Sequence, residues 1–207
     1  MRRSLPLLLF LASACSPGVT ALHRLPQKGG AADFYALPFP SDLRLGAGGA
    51  FDLSSYPRAP GQLGIYVDQM DGRIPGAGPG AGIYFRFDGP LDEASLPQSA
   101  ARSVEEGASA FLVDITPGSP TYGERTPVNA RFHEEGGRFI GDNWLSLVPV
   151  PGLPLRERTT YAAILTTALR ARGGGAVARD PDLSLLLSPE APPGAAERAA
   201  WERYGKL

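Results

Sequence analysis

Residues 83–87 read Ile83-Tyr84-Phe85-Arg86-Phe87, enclosed by Gly82 and by Asp88-Gly89-Pro90. A run that is aromatic or β-branched apart from Arg86, closed at both ends by turn formers, predicts a short strand. Four further runs of the same kind follow. Phe111–Ile115 stops at Thr116-Pro117-Gly118, and Val128–Phe132 alternates apolar with polar residues. Trp144–Pro149 alternates in part, and Thr160–Thr166 is β-branched or aromatic at its ends and apolar in its middle. Short strands separated by Gly and Pro turns are the pattern of a β-sandwich or small barrel. Glycine (26) and proline (21) lie between the apolar runs, and 43% of the residues are hydrophobic, which suits a loop-rich β fold with a packed core rather than a disordered chain.

Outside these strands the chain changes character twice. Asp33 to Pro60 is dense in aromatics and turn residues. Pro38 and Pro40 hold Phe39 in extended backbone, and Ser41 or Asp42 is placed to accept from the backbone just ahead. This segment is expected to clip onto the domain by burying Phe34, Leu37, Phe39, Leu43 and Phe51. Leu63 to Met70 leans to helix, and Gly72 to Gly82 reads as a turn-rich loop. Towards the C-terminus, Ser188-Pro189-Glu190 reads as a helix-start cluster. Ala195 to Tyr204 then forms a helix, with Trp201 and Tyr204 three apart on one face. That face is a candidate interface for a protein partner or a further domain.

The first fifteen residues carry an export pattern. Arg2 and Arg3 precede the apolar run Leu5–Leu11, then the small residues Ala12-Ser13-Ala14, then Cys15, the only cysteine. The apolar run is about half the ~20 residues a spanning helix needs. The layout resembles a bacterial lipoprotein signal, with Ala12 standing where such signals prefer Leu. The resemblance implies lipidation at Cys15, membrane attachment through that lipid, and a place in the bacterial cell envelope, at the outer membrane or cell surface. An ordinary signal peptide cut near Ala14 is the alternative.

Several function classes are excluded or left without residues. The formal net charge is −1, and Arg44, Arg58, Arg73, Arg86, Arg102, Arg125, Arg131 and Arg138 are scattered, so no nucleic-acid footprint exists. With one cysteine there is no internal disulfide. A hydrolytic triad needs a nucleophile beside a histidine base, and the two histidines are His23, expected to be solvated in a tether, and His133, expected in a hairpin near Glu134. No catalytic residue, metal site or cofactor is assigned. Asp68-Gln69-Met70-Asp71-Gly72 and Asp180-Pro181-Asp182 are acidic turns that fall short of a calcium loop and read as turns bonding their own backbone. The glycines at 76–82 lack the Lys-Ser/Thr of a phosphate loop.

Leu37-Pro38-Phe39-Pro40-Ser41-Asp42-Leu43, with Asp52-Leu53-Ser54-Ser55-Tyr56-Pro57 after it, resembles the N-terminal region of bacterial virulence-factor-type secreted lipases and of related lipoproteins. Phe85 to Asp92 followed by Ser95-Leu96-Pro97 continues the likeness. Pro149, Leu155 and Thr159-Thr160-Tyr161-Ala162 resemble a stretch of bacterial Ig-like domains. The likeness implies an antiparallel Ig-like sandwich and an accessory, non-catalytic role. The lipases' G-x-S-x-G elbow does not occur in these 207 residues. The expected organisation is a signal peptide (1–14), a lipidated tether (15–32), an N-terminal extension packed on the sandwich (33–82), the Ig-like sandwich (83–172), and a linker with a C-terminal helix (173–207). The function expected is that of a lipid-anchored binding or spacer module. The alternative is the N-terminal accessory part of a lipase or esterase.

Overall fold

The computed structural model describes residues 18–26, 33–46 and 48–204, so Cys15 and the export segment lie outside the described residues. The fold is mainly β. Among the described residues there are eight strands, β1 (Val19–Ala21), β2 (Ile83–Arg86), β3 (Ala110–Asp114), β4 (Arg125–Thr126), β5 (Val128–His133), β6 (Trp144–Pro149), β7 (Tyr161–Leu165) and β8 (Val177–Arg179), and three α-helices. These are α1 (Gln62–Met70), α2 (Pro181–Leu186) and α3 (Ala195–Tyr204). Two antiparallel sheets have the orders β2-β6-β5 and β4-β3-β7, and β1 pairs in parallel with β8.

The alternation read from sequence decides which side chains face inward. Ile83 and Phe85 of β2, Leu145 and Leu147 of β6, and Val128 and Phe132 of β5 enter one core together with Ala110 and Leu112 of β3. Phe87, Leu91, Leu169 and Ala171 close its ends from the connections, and Tyr161, Ala163 and Leu165 of β7 pack against it. Leu145 and Leu147 on the central strand are 0% exposed. Asp114, at the end of β3, locks the turn into β4. Its carboxylate accepts from the Thr116 amide (2.8 Å) and from the hydroxyls of Ser119 (2.5 Å) and Thr121 (2.7 Å).

A second, aromatic core forms from residues 33–82. Phe34, Tyr35, Phe51 and Leu53 are buried, with Phe39, Tyr56, Val67, Ile74 and Tyr84 packed around them. Phe39 bridges to Tyr84 through two backbone bonds (3.1 and 2.8 Å), which seats the segment on β2. Phe34, Leu37 and Phe51 are buried as expected, whereas Phe39 and Leu43 remain half-buried. The unforeseen member is Arg44. Its guanidinium is buried over the Phe34 ring at 3.8 Å and donates to Ser55 and to the Phe34 carbonyl. Burial pushes its pKa down to about 10.

Two expectations are corrected. The tether proposed for 15–32 holds a strand at 19–21. The Val19 side chain enters the main core, and the strand is paired with Val177–Arg179 on one side and bridged at Ala21 to Phe87 on the other. No helix begins at the expected start Ser188-Pro189-Glu190: α3 starts later, at Ala195, and α2 is a separate, unexpected helix that starts at Pro181. Asp180 caps α2 by accepting from the Asp182 amide (3.1 Å), with Pro181 in the first turn, where its missing N–H leaves no bond unmade.

Phe34→Ala is expected to lower stability by about 3–5 kcal/mol, because a buried phenyl leaves a cavity. Phe39→Ala, at a half-buried ring, should lower it less. Urea unfolding of the two variants reads both values. Burial raises the Asp114 pKa, but the bonds from Ser119, Thr116 and Thr121 outweigh it and bring it down to about 2. The stability this residue adds is therefore present above the ordinary carboxylate value of about 4 and is lost as pH falls towards about 2. Asp114→Asn should be less stable than the natural chain at pH 6, with the difference shrinking towards pH 2 in the same unfolding measurement.

Candidate interaction sites

The described ends of the chain meet at one site. His23 follows β1 and is only 5% exposed. Its Nε2 lies 3.0 Å from the Tyr204 hydroxyl, with the two rings edge-on at 5.7 Å. Asp182 accepts from the Leu25 amide at 2.8 Å, and Asp180 faces Arg24 at 3.9 Å. The α3 helix is held by further bonds, among them one from Arg198 Nε to the Pro192 carbonyl (3.2 Å). Trp201 Nε1 donates to the Ser188 carbonyl (2.8 Å), and Arg203 donates to the carbonyls of Asp42 (2.8 Å) and Leu45 (2.7 Å). Trp201 and Tyr204, expected to share an open face, are half-buried and bonded to their own chain. The expectation of a solvated His23 is overturned, because the segment carrying it is strand-paired rather than free. Burial lowers its pKa, opposed by its own backbone and by Asp180 and Asp182.

His133 ends β5 and stacks on Trp144 at 3.9 Å with 11° between the rings. A shallow depression of about 550 Å³ beside it is lined by His133, Glu134, Glu135 and Asp142. Glu134 is engaged in a two-point pair with Arg172 (2.9 and 2.5 Å), and Asp142 accepts from the Gly136 amide (2.8 Å). Neither imidazole is bonded to a serine hydroxyl or a carboxylate among the described residues.

The acidic turns serve the fold. Asp68 pairs with Arg58 at 2.7 Å, Asp71 accepts from the Leu53 amide at 2.7 Å, and Asp180 is the α2 cap. Among the described residues no three His, Cys, Asp or Glu side chains are grouped to hold a metal, and no helix is long and apolar enough to cross a membrane.

A feature that sequence reasoning missed is the outer face of α1. The helix docks through Gly64, where a Cβ would lie 2.5 Å from the Ala59 carbonyl oxygen, and through Val67. Leu63, Tyr66 and Met70, spaced i, i+3, i+7, are left exposed as a strip. The spacing was visible in the sequence; which side would be covered was not.

Comparison with protein-family models, with curated proteins and with solved structures gave no match.

Tyr204→Phe should weaken α3 docking by about 1 kcal/mol, the net worth of a typical hydrogen bond, read as faster amide exchange across residues 195–204. Because burial holds the His23 pKa below 6.5, the undocked state takes up a proton first as pH falls. Docking of α3 should thus weaken as pH drops through 6.5 towards that lowered value, and His23→Gln should remove this dependence.

Proposed function

We propose that this chain is a bacterial envelope lipoprotein, anchored through lipid on Cys15. Its folded part is a non-catalytic Ig-like sandwich that acts as a binding or spacer module. One observation carries the reading. The basic, apolar and small residues of positions 2–14 lead directly to Cys15, and Val19 is already buried in β1. Four residues reach at most about 14 Å, so the folded part would sit against the bilayer rather than at the end of a long leash. Support for the non-catalytic part comes from the two histidines, one bonded to tyrosine and one stacked on tryptophan. Support for the sandwich comes from the core shared by the two three-stranded sheets.

A second reading, the accessory N-terminal part of a lipase or esterase, is favoured by one feature. The LPFPSDL and DLSSYP stretches fold together around Phe34, Phe39, Phe51 and Tyr56, so the resemblance maps onto one physical unit.

Several acyl chains anchor a protein stably where one binds marginally. Cys15→Ser should therefore move the protein from the membrane fraction to the soluble fraction. Sedimentation of the Cys15→Ser protein with membranes, at the level of the natural chain, would remove the basis for the anchor.

A further inference from the structure

Most sheet edges in this fold are protected. The outer side of β2 is covered by the Phe39–Tyr84 bridge and, just beyond it, by Ala21 against Phe87. The outer strand β5 carries the exposed Arg131, β8 is three residues long and ends in the exposed Arg179, and β4 has two residues. Natural proteins blunt edges in these ways, because an open, uncharged edge pairs with another chain. The exception is β7. From Thr159 to Thr167 it reads Thr-Thr-Tyr-Ala-Ala-Ile-Leu-Thr-Thr, with no charge, proline or glycine.

Its register shows which backbone groups are free. The Ile115 amide donates to the Thr160 carbonyl (2.9 Å) and the Thr166 amide to the Ser109 carbonyl (2.8 Å). Hydrogen bonding to β3 recurs every second residue, so residues 160, 162, 164 and 166 face β3. Tyr161, Ala163 and Leu165 turn their N–H and C=O groups outward. No described element pairs with that side, and no bond to these groups occurs among the described residues.

We propose that the β7 edge is a self-association surface whose occupant is the β7 edge of a second copy of this chain, antiparallel about a two-fold axis at Ala163. The sequence is self-complementary in that register. Ala163 meets Ala163 of the second copy, Tyr161 meets Leu165, and Ala162 meets Ile164. Thr160 faces Thr166 and Thr159 faces Thr167, pairings that favour cross-strand contact. The three outward-facing pairs exchange about six backbone hydrogen bonds, and the sheet becomes continuous across both copies as β4-β3-β7-β7-β3-β4. Small side chains at 162 and 163 leave the approach open. Arg156 and Arg170, the like charges this register brings together, lie beyond the paired stretch. Edge addition of this kind draws its affinity from main-chain bonds. The inference does not depend on the lipid anchor.

Sedimentation equilibrium of the full chain in density-matched detergent, carried to submillimolar concentration, should show reversible conversion to twice the chain mass. Ala163→Pro removes an outward N–H without touching a bond to β3, a position where a strand tolerates proline. It should weaken association by at least roughly tenfold while leaving the urea midpoint in place. Ile164→Lys, a charge on the exposed side of the edge, should do the same if the proline variant does not fold. A chain that stays monomeric throughout the range overturns the proposal. A dimer that survives a folded edge variant overturns it as well, and loss of that dimer in Leu63→Gln would assign self-association to the α1 strip.

Discussion

The three residues Val19-Thr20-Ala21 are held on both sides. On one side they run parallel to Val177–Arg179; on the other, Ala21 bridges Phe87, and Thr20 exchanges bonds with Asp88. This joint decides where the two described ends of the chain lie. Without it β8 has no partner strand, α2 loses the contact of its Asp182 with the Leu25 amide, and His23 is not delivered to Tyr204. The Val19 side chain also plugs the main core beside Gly89, so the joint is apolar as well as hydrogen-bonded.

What that joint organises is a chain of docked layers. The two sheets share one core. The aromatic cluster of residues 33–82 sits on the outer side of β2 through Tyr84, and α3 reaches back to the 42–45 turn through Arg203. Arg44 shows how tightly that turn is packed, with its charge buried against an aromatic face and with Nε left without a partner. Each layer is modest by itself, and each is positioned by the one beneath it.

The longer strands were legible because they obey a two-residue period between Gly and Pro turns. The five predicted runs lie within a residue or two of the observed strands. The short strands β1, β4 and β8 were not legible, since two or three residues carry no period and their pairing depends on segments far away in sequence. The helix α3 was read to the residue from its composition. The start of α2 was available in Asp180-Pro181, a cap followed by proline, but the same residues also suit a simple turn. Burial of Arg44 and His23 had no local signal, because it follows from partners such as Phe34 and Tyr204 that only the fold brings near. The open edge of β7 is a mixed case. Its uncharged composition is written in the sequence, but its position at the end of the β4-β3-β7 order is a property of topology.

The central claim is that the segment 18–26 belongs to the fold and organises the C-terminal elements. Site-resolved amide exchange of Thr20→Pro tests this most directly. The proline removes the Thr20 amide bond to Asp88 in a strand paired on both sides, where proline is not accommodated. The account predicts that protection is lost in Val177–Arg179 and through α2 and α3, while Ala110–Asp114 stays protected. Unchanged protection across residues 177–204, with loss confined to residues 18–26, would contradict it.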